Sequence, residues 1–596
     1  MALGRLAAVA AAFALLAGCA TQAPQPPENF QLTVLHVNDH HSNLAPKTRT
    51  LSWGGQDWQV QSGGFPRVAA QIDALRQQNE HVLTLHAGDA ITGSLFFTLF
   101  GSEPDAVMMN QVCFDAFTIG NHEFDNGDKG LKTFLEQLGT PACPTAKLSA
   151  NVKPELGVSP LTPTSMTDSF SPYTVLQRGG ESIGIVGLTI ATKTKKSSQP
   201  DETTQFEDEL TATRRAISAL QAQGVEKIIL LSHIQYQRDI DLIRQLPAVD
   251  IVIGGDSHTL LGDFNDFGLQ SAGPYPTELT NADGTPVCLA HAYQYSQVVG
   301  ELQVEFSGDD IAQCGGRPHF LLGSDISPVE GAVTTLNPVK NALRESGVFS
   351  MVEPAPKLQR LLERYQQKVE TFSAEVLADV PELICNQEID LPRRPGCADI
   401  LSSGAHRLTA EAFLHAVPEA DFALNNGGSI RGDIEAGDFT RGDAFSLLPF
   451  ANTLVKIDIT GSELKQVMEE GIAYSVSDGG STRAYPYGAG IRYSVDLTKN
   501  FGDRVANLQV WNKELDDWQP VRPRENYVVV TNSFIAGGQD GYETFYNLAE
   551  RGRATNTGID YAKAMANYAR ELKVLERPED FATQSYVPVN KNTENN

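Results

Sequence analysis

The chain has 596 residues, 41% of them hydrophobic and 20% charged, the composition of an ordinary globular protein. A single hydrophobic core stops growing at roughly 250–300 residues, so two domains are expected. With 46 basic against 73 acidic side chains the net charge is -27, which argues against a protein that coats nucleic acid and requires any anionic substrate to be met by local cations or metal ions.

At the N-terminus, Arg5 precedes the apolar run Leu6 to Ala17 and then Gly18-Cys19. The run is shorter than the roughly 20 residues of a membrane span and fits a signal-peptide hydrophobic region. Leu16-Ala17-Gly18-Cys19 resembles the bacterial lipobox, whose cysteine is lipidated and becomes the mature N-terminus. That resemblance, with Ala20 following, implies export and an outer-membrane anchor on Cys19 facing the periplasm; plain secretion is the alternative. Residues 1–19 then form a leader, and 20–29 (ATQAPQPPEN) a Pro- and Gln-rich tether. Six cysteines remain, an even number that predicts disulfides in an exported protein. Proximity suggests Cys113–Cys143, Cys288–Cys314 and Cys385–Cys397. A soft-metal site is disfavoured because no C-x-x-C spacing occurs.

From Phe30 to about Gly308, apolar runs alternate with helical periodicity. LTVLHVN is followed by FPRVAAQIDALRQQ, with Val68, Ile72 and Leu75 on one helical face. HVLTLHA, DAFTI, GIVGL, KIILL and VDIVI read as further strands, and a helix runs through Ile217 and Leu220 to near Gly224. This pattern predicts a layered α/β domain over 30–350, with ligand sites outside the strand ends. Residues 261–287, rich in Gly, Pro, Asn and Asp, read as a surface insertion near the site mouth. Leu358, Leu361, Leu362, Tyr365, Val369 and Phe372 recur at helical spacing, so 351–373 is expected to link to a second α/β domain over 374–580.

Five polar clusters close five of the apolar runs: Asp39-His40-His41, Gly88-Asp89, Gly120-Asn121-His122-Glu123-Phe124-Asp125, Ser232-His233 and Gly254-Gly255-Asp256-Ser257-His258. Carboxylate, imidazole and carboxamide groups at successive strand ends suit a two-metal hydrolytic site. Asp39 and His41, two apart in an extended segment, point to one face and His40 to the other. Asp89 can bridge two cations, Asn121 offers a neutral oxygen, and Asp256 and His258 repeat the spacing of two. His36 and His86 are expected to pack inside strands. His81, His319, His406 and His415 read as surface or partly buried, and His40 and His291 as groups behind the ligands. In the second domain, Asn426-Gly427-Gly428-Ser429-Ile430-Arg431, Leu448-Pro449-Phe450 and the run Phe534 to Gly541 combine glycine turns, two phenylalanines, Arg431 and Asp540. Such groups can sandwich a base, pair with phosphate and accept ribose hydroxyls.

Taken in order, LHVNDHH, AGD, GNHEFD, SH and GGDSH resemble the calcineurin-like metallophosphoesterases, and more specifically the 5′-nucleotidase family. NGGSIR, LPF and FIAGGQDG resemble that family's C-terminal motifs. The resemblance implies an N-terminal αββα domain and a C-terminal nucleotide-binding α/β domain that rotates to carry substrate to the metals. It implies one metal on Asp39, His41, Asp89 and His258, and a second on Asp89, Asn121, His233 and Asp256. Many relatives have His where this chain has Asp256, so the ions could be zinc first, or manganese, magnesium or cobalt. His122 and Asp125 resemble the catalytic pair, Phe450 and Phe534 the base-stacking pair, Asp540 the ribose acceptor, and Asn426 and Arg431 further substrate contacts. The family's Arg before a T-N-x-G motif has no intact counterpart in RRPGCADILSSG, where Arg393 or Arg394 could serve. Among family members the pattern looks most like the bacterial NAD nucleotidases, implying AMP, nicotinamide mononucleotide (NMN) and NAD as substrates. A UDP-sugar hydrolase, a 2′,3′-cyclic nucleotide phosphodiesterase, a thiol-ester-type hydrolase and a non-catalytic surface binding protein are the alternatives.

Overall fold

The computed structural model describes residues 29–588 apart from 330–335, 388, 390–396, 398–402, 451 and 478–479. The leader with Cys19, the tether up to residue 28, Arg393 and Arg394 lie outside the described residues; Asn29, expected as the last tether residue, opens the first strand. Among the described residues, no helix is long and apolar enough to cross a membrane.

Two sheets stack face to face in the first half. One is nine-stranded and has Asn29–Val37, Val82–His86, Ala116–Thr118 and Ala146–Leu148 as parallel neighbours. The other is six-stranded, with Glu181–Thr189, Lys227–His233, Ile251–Gly254 and Pro286–His291 in parallel. Their strands are buried on both faces, which is why they read as nearly continuous apolar runs. Within them the period of two still sorts side chains. Leu32, Val34, Leu83, Leu85, Ile229, Leu231, Ile251 and Ile253 fill the space between the sheets. Leu35 and Val37 face helices Phe65–Gln78, Glu103–Val112 and Gly127–Gln137. Ile228, Leu230 and Val252 face helices Glu209–Gln221 and Tyr236–Ile243. The result is the expected helix–sheet–sheet–helix layering.

Helix Pro356–Ser373 connects the halves. Leu358 and Leu362 enter the first domain's core, and the Tyr365 hydroxyl donates to Glu103 at 2.8 Å. At its far end the ring of Phe372 meets Phe445 of the second half edge-on at 5.2 Å. Beyond it, a five-stranded sheet (Pro486–Ala489, Phe422–Asn426, Asn526–Asn532, Thr453–Thr460, Ala554–Asp560) carries helices Gly404–Ala416 and Tyr561–Leu572 on one face. Helix Gly461–Val476 covers the other. Three disulfides join Cys113–Cys143, Cys288–Cys314 and Cys385–Cys397, the pairs of sequence neighbours.

The structure departs from the sequence reading in three places. Residues 261–287 are more than a surface insertion: Phe264 and Phe267 pack with Phe320 and Phe349, and Thr277–Thr280 adds an edge strand to the six-stranded sheet. His319 and His406 are fully buried; His319 bonds Glu301 at 3.0 Å, and His406 stacks on Tyr487 at 4.1 Å. Asp39 and His41 are not extended but both left-handed, with φ of 49°. Here the chain leaves the sheet and the 39–42 loop bonds the 88–90 loop instead, through Asp39 N to Gly88 O (3.0 Å), His41 N to Asp89 O (3.1 Å) and Ser42 N to Ala90 O (2.9 Å).

Candidate active site

Parallel strands deliver their C-terminal ends to one edge, and the five clusters meet there. Donor atoms of Asp39, His41 and His258 lie within 4.8 Å of one another, as do those of Asp39, Asp89 and His233. His233 Nε2 is 3.0 Å from Asp89 Oδ2 and 3.6 Å from Asp256 Oδ1. Glycines make this approach possible. A Cβ on Gly88 would come within 2.7 Å of the His233 ring, and one on Gly120 within 2.2 Å of the Asp89 carboxylate.

The donors suit divalent cations. His233 Nδ1 donates to Ala87 O at 2.6 Å, which turns Nε2 toward the cluster. Among the described residues, His233 Nε2, Asn121 Oδ1 and Asp256 Oδ2 are buried without a hydrogen-bond partner, a cost that a bound cation removes. Burial alone would raise Asp39 and Asp89, yet the neighbouring histidines hold both well below the usual carboxylate range. Burial alone would lower His233, yet Asp89, Asp39 and Asp256 lift it to about 10. His41 is held neutral by burial, which leaves its lone pair available. The pocket therefore asks for positive charge: Asp39 and Asp89 are ionised and His41 is neutral, while His233 keeps a proton between the carboxylates that a bound cation would displace. Seven of the residues named from sequence (Asp39, His41, Asp89, Asn121, His233, Asp256 and His258) could hold two ions here.

His122 lies beside them. Its backbone N–H donates to Asp89 Oδ1 at 2.9 Å, and Nδ1 donates to Asp125 Oδ2 at 2.7 Å. Burial opposes the charged ring, but Asp125 and Asp89 raise its pKa above the ordinary histidine value. The charged form of the ring is thus favoured at the edge of the cluster, and Nε2 makes no hydrogen bond among the described residues.

One cleft of about 1440 Å³ runs from this cluster into the second domain, lined by His122, Asp125, Arg431, Phe450, Phe534 and Asp540 among others. The Phe450 ring stacks 6.2 Å from His122 with planes 12° apart, and the Arg431 guanidinium lies over the Phe450 ring, 4.8 Å from its centroid. Enclosure in the cleft and the adjacent Arg483 lower Arg431 to about 10. Burial raises Asp540 to about 6, and Asn426 Nδ2 donates to it at 2.8 Å. Gln539 Nε2 donates across the domain boundary to Ser198 O at 2.9 Å.

Several contributors carried no sequence assignment. The Glu123 carboxylate accepts from Asp89 N (3.0 Å), Ala90 N (2.7 Å) and Gly120 N (2.7 Å), tying two ligand loops together; its place inside GNHEFD was the signal. Asn38 donates to Asp39 Oδ2 at 2.6 Å and accepts from Ala292 N at 2.7 Å. Behind the ligands, His40 bonds His86 (2.9 Å) and Asp105 (3.0 Å), pointing away from the cluster as expected. His291 bonds Asp239 at 3.0 Å. Lys193, Arg483 and Asn452 also line the cleft, and none belongs to a recognisable motif.

A pair of layered sheets with acidic and imidazole ligands at their shared edge defines a metal-dependent phosphoester hydrolase. Residues 32–260 match the calcineurin-like phosphoesterase family, and residues 391–547 match the 5′-nucleotidase C-terminal domain. The chain is 37% identical to the NAD 5′-nucleotidase of Haemophilus influenzae over 90% of each chain. It is 35% identical to a probable 5′-nucleotidase of Treponema pallidum, over 91% of this chain and 92% of that one. The crystal structure of a 5′-nucleotidase precursor from Thermus thermophilus superposes with a TM-score of 0.77 at 30% identity, covering 94% of this chain and 99% of that one. The chain belongs to the 5′-nucleotidase family of calcineurin-like metallophosphoesterases.

Proposed function

We propose that this protein hydrolyses nucleoside 5′-monophosphates to nucleoside and phosphate, and also splits the pyrophosphate of NAD into AMP and NMN. The observation that carries the reading is the single cleft in which the His122–Asp125 pair and the ligand cluster face Arg431, Phe450, Phe534 and Asp540. The name of the Haemophilus influenzae relative favours NAD as a substrate. Two divalent cations held by the seven ligands would supply Lewis acidity toward water and the phosphoryl oxygens. His122 donates from Nε2 to a phosphoryl oxygen as charge builds on it, and Asp125 keeps the ring protonated and oriented. Phe450 and Phe534 take the base, Asp540 and Asn426 the ribose, and Arg431 a phosphate oxygen. Hydrolysis adds water across the P–O bond, and the nucleoside or mononucleotide leaves with the proton. Zinc is the first choice of metal and manganese, magnesium or cobalt the next. Export and anchoring through a lipid on Cys19 are proposed from the N-terminal sequence.

The test is product analysis with purified protein supplied with zinc, manganese, magnesium or cobalt. AMP and NMN should release phosphate, and NAD should give AMP and NMN first. Metal-replete protein that releases no phosphate from any nucleoside monophosphate would overturn the reading. Cleavage of UDP-glucose but not NAD would move it to the sugar-nucleotide alternative.

A further inference from the structure

Lys193 lies in the short helix Ala191–Ser197, which follows the strand Glu181–Thr189 of the second sheet. Its ammonium is ion-paired with Asp256 Oδ1, with the Lys193 side chain 29% exposed to the cleft and Asp256 enclosed. The other oxygen, Asp256 Oδ2, is buried and has no hydrogen-bond partner among the described residues. The carboxylate is therefore shared: Oδ1 faces Lys193 and also lies 3.6 Å from His233 Nε2 of the ligand cluster, while Oδ2 has no partner of its own among the described residues. Lys193 also interacts electrostatically with Asp89, Asp39 and Asp540.

Charge gives this arrangement a purpose. Two dications bring four positive charges, and Asp39, Asp89 and Asp256 remove three, leaving a centre with one net positive charge. A neutral ligand at position 256 would leave two. A phosphate monoester is close to dianionic at neutral pH, and the chain as a whole carries -27, so the centre must attract substrate against the global field. We propose that Lys193 is the counter-charge of Asp256, restoring the positive charge that an aspartate at this position removes and directing it at the phosphoryl group of the substrate. The inference rests on the two-metal hydrolase reading above. It makes Lys193 a charge-compensating residue for substrate capture and not a metal ligand.

The proposal has an unusual sign. An ammonium beside a ligand repels the dication it neighbours, so removing it should tighten metal binding while weakening substrate binding. A residue that merely supports the fold would weaken both. The experiment compares full-length wild type, Lys193→Met, Lys193→Arg, Asp256→His and the double variant Lys193→Met/Asp256→His. Metal per chain is measured after dialysis against graded chelator, and kcat and KM for AMP are measured in metal-replete buffer. Lys193→Met should hold metal against several-fold more chelator and raise KM about tenfold, with a smaller change in kcat. Lys193→Arg should restore KM. In the Asp256→His background, Lys193→Met should change KM by less than about twofold, because there is no excess carboxylate to offset. Loss of metal in Lys193→Met, an unchanged KM, or an equal rise in both backgrounds overturns the proposal. If Lys193→Met fails to fold, Lys193→Gln carries the same comparison. Wild-type turnover of AMP is the separate control: its failure would remove the hydrolase reading, not the Lys193 assignment alone.

Discussion

Replacing His122 by Ala tests the chemistry most directly. The side chains of His122 and Asp125 are 15% and 17% exposed, so their 2.7 Å contact is worth more than a solvated surface pair. Removing one donor aimed at a developing oxyanion costs roughly a hundred- to a thousandfold in kcat, about 3–4 kcal/mol of transition-state stabilisation. The same geometry allows a rival role, because donor atoms of His41, Asp89 and His122 also lie within 4.8 Å of one another. The assay therefore needs two readouts: phosphate release at saturating AMP, and metal per chain. His122→Ala should lose kcat by about two to three orders of magnitude and keep its full metal content. Asp125→Asn should fall between that variant and wild type, since it keeps the ring but removes the carboxylate that sustains its charge. A His122→Ala protein with wild-type kcat, or one that loses metal in proportion to activity, refutes the assignment.

Phe450→Ala should raise KM for AMP by the worth of one stacked base, about 1–3 kcal/mol or roughly 5- to 150-fold, with a smaller effect on ribose 5-phosphate, which has no base; equal effects on both would contradict a stacking role. Chelation should abolish phosphate release and lower the melting temperature, because it leaves Asp39, Asp89 and Asp256 buried against one another; at a thousandfold excess over Kd the bound ion stabilises by about 4 kcal/mol, and an unchanged melt would count against buried ions. Asp250, far from the ligands, gives a pH test. Burial raises it to about 7 although Ile228 N donates to it at 2.8 Å. An unfolded Asp titrates at about 3.9, so between those values the folded state binds more protons and stability falls as pH rises. Asp250→Asn should therefore stabilise the protein by about 1–3 kcal/mol near pH 8 and by little near pH 4, as read from denaturant midpoints; a gain at the lower pH would reverse the sign and reject the argument.

Local sequence determined much of this protein. Strands such as KIILL and VDIVI, buried on both faces, must be apolar throughout, and a loop that presents ligands must begin where the apolar run stops. The residues of DHH, AGD, GNHEFD, SH and GGDSH therefore mark strand ends without any knowledge of the fold. The helix Pro356–Ser373 was legible for a similar reason, since its apolar stripe repeats at helical spacing. By contrast, the left-handed turns at Asp39 and His41 were not, because they are imposed by bonds to the 88–90 loop, about fifty residues away in the chain.

Tertiary structure alone decided how those ends combine. Lys193 meets Asp256 across 63 residues of chain, and Phe450 stacks against His122 from another domain. A lysine within a short helix and a phenylalanine after one are commonplace locally. They gain meaning only when sheet register and the connecting helix set their distance from the ligands. Phe264 was misread for the same reason: its flanking Gly, Asn and Asp describe a loop, while its aromatic partners Phe320 and Phe349 arrive from later strands. Periodicity reports which face a residue turns toward the core; which residue waits on the other side depends on long-range packing that no local pattern encodes.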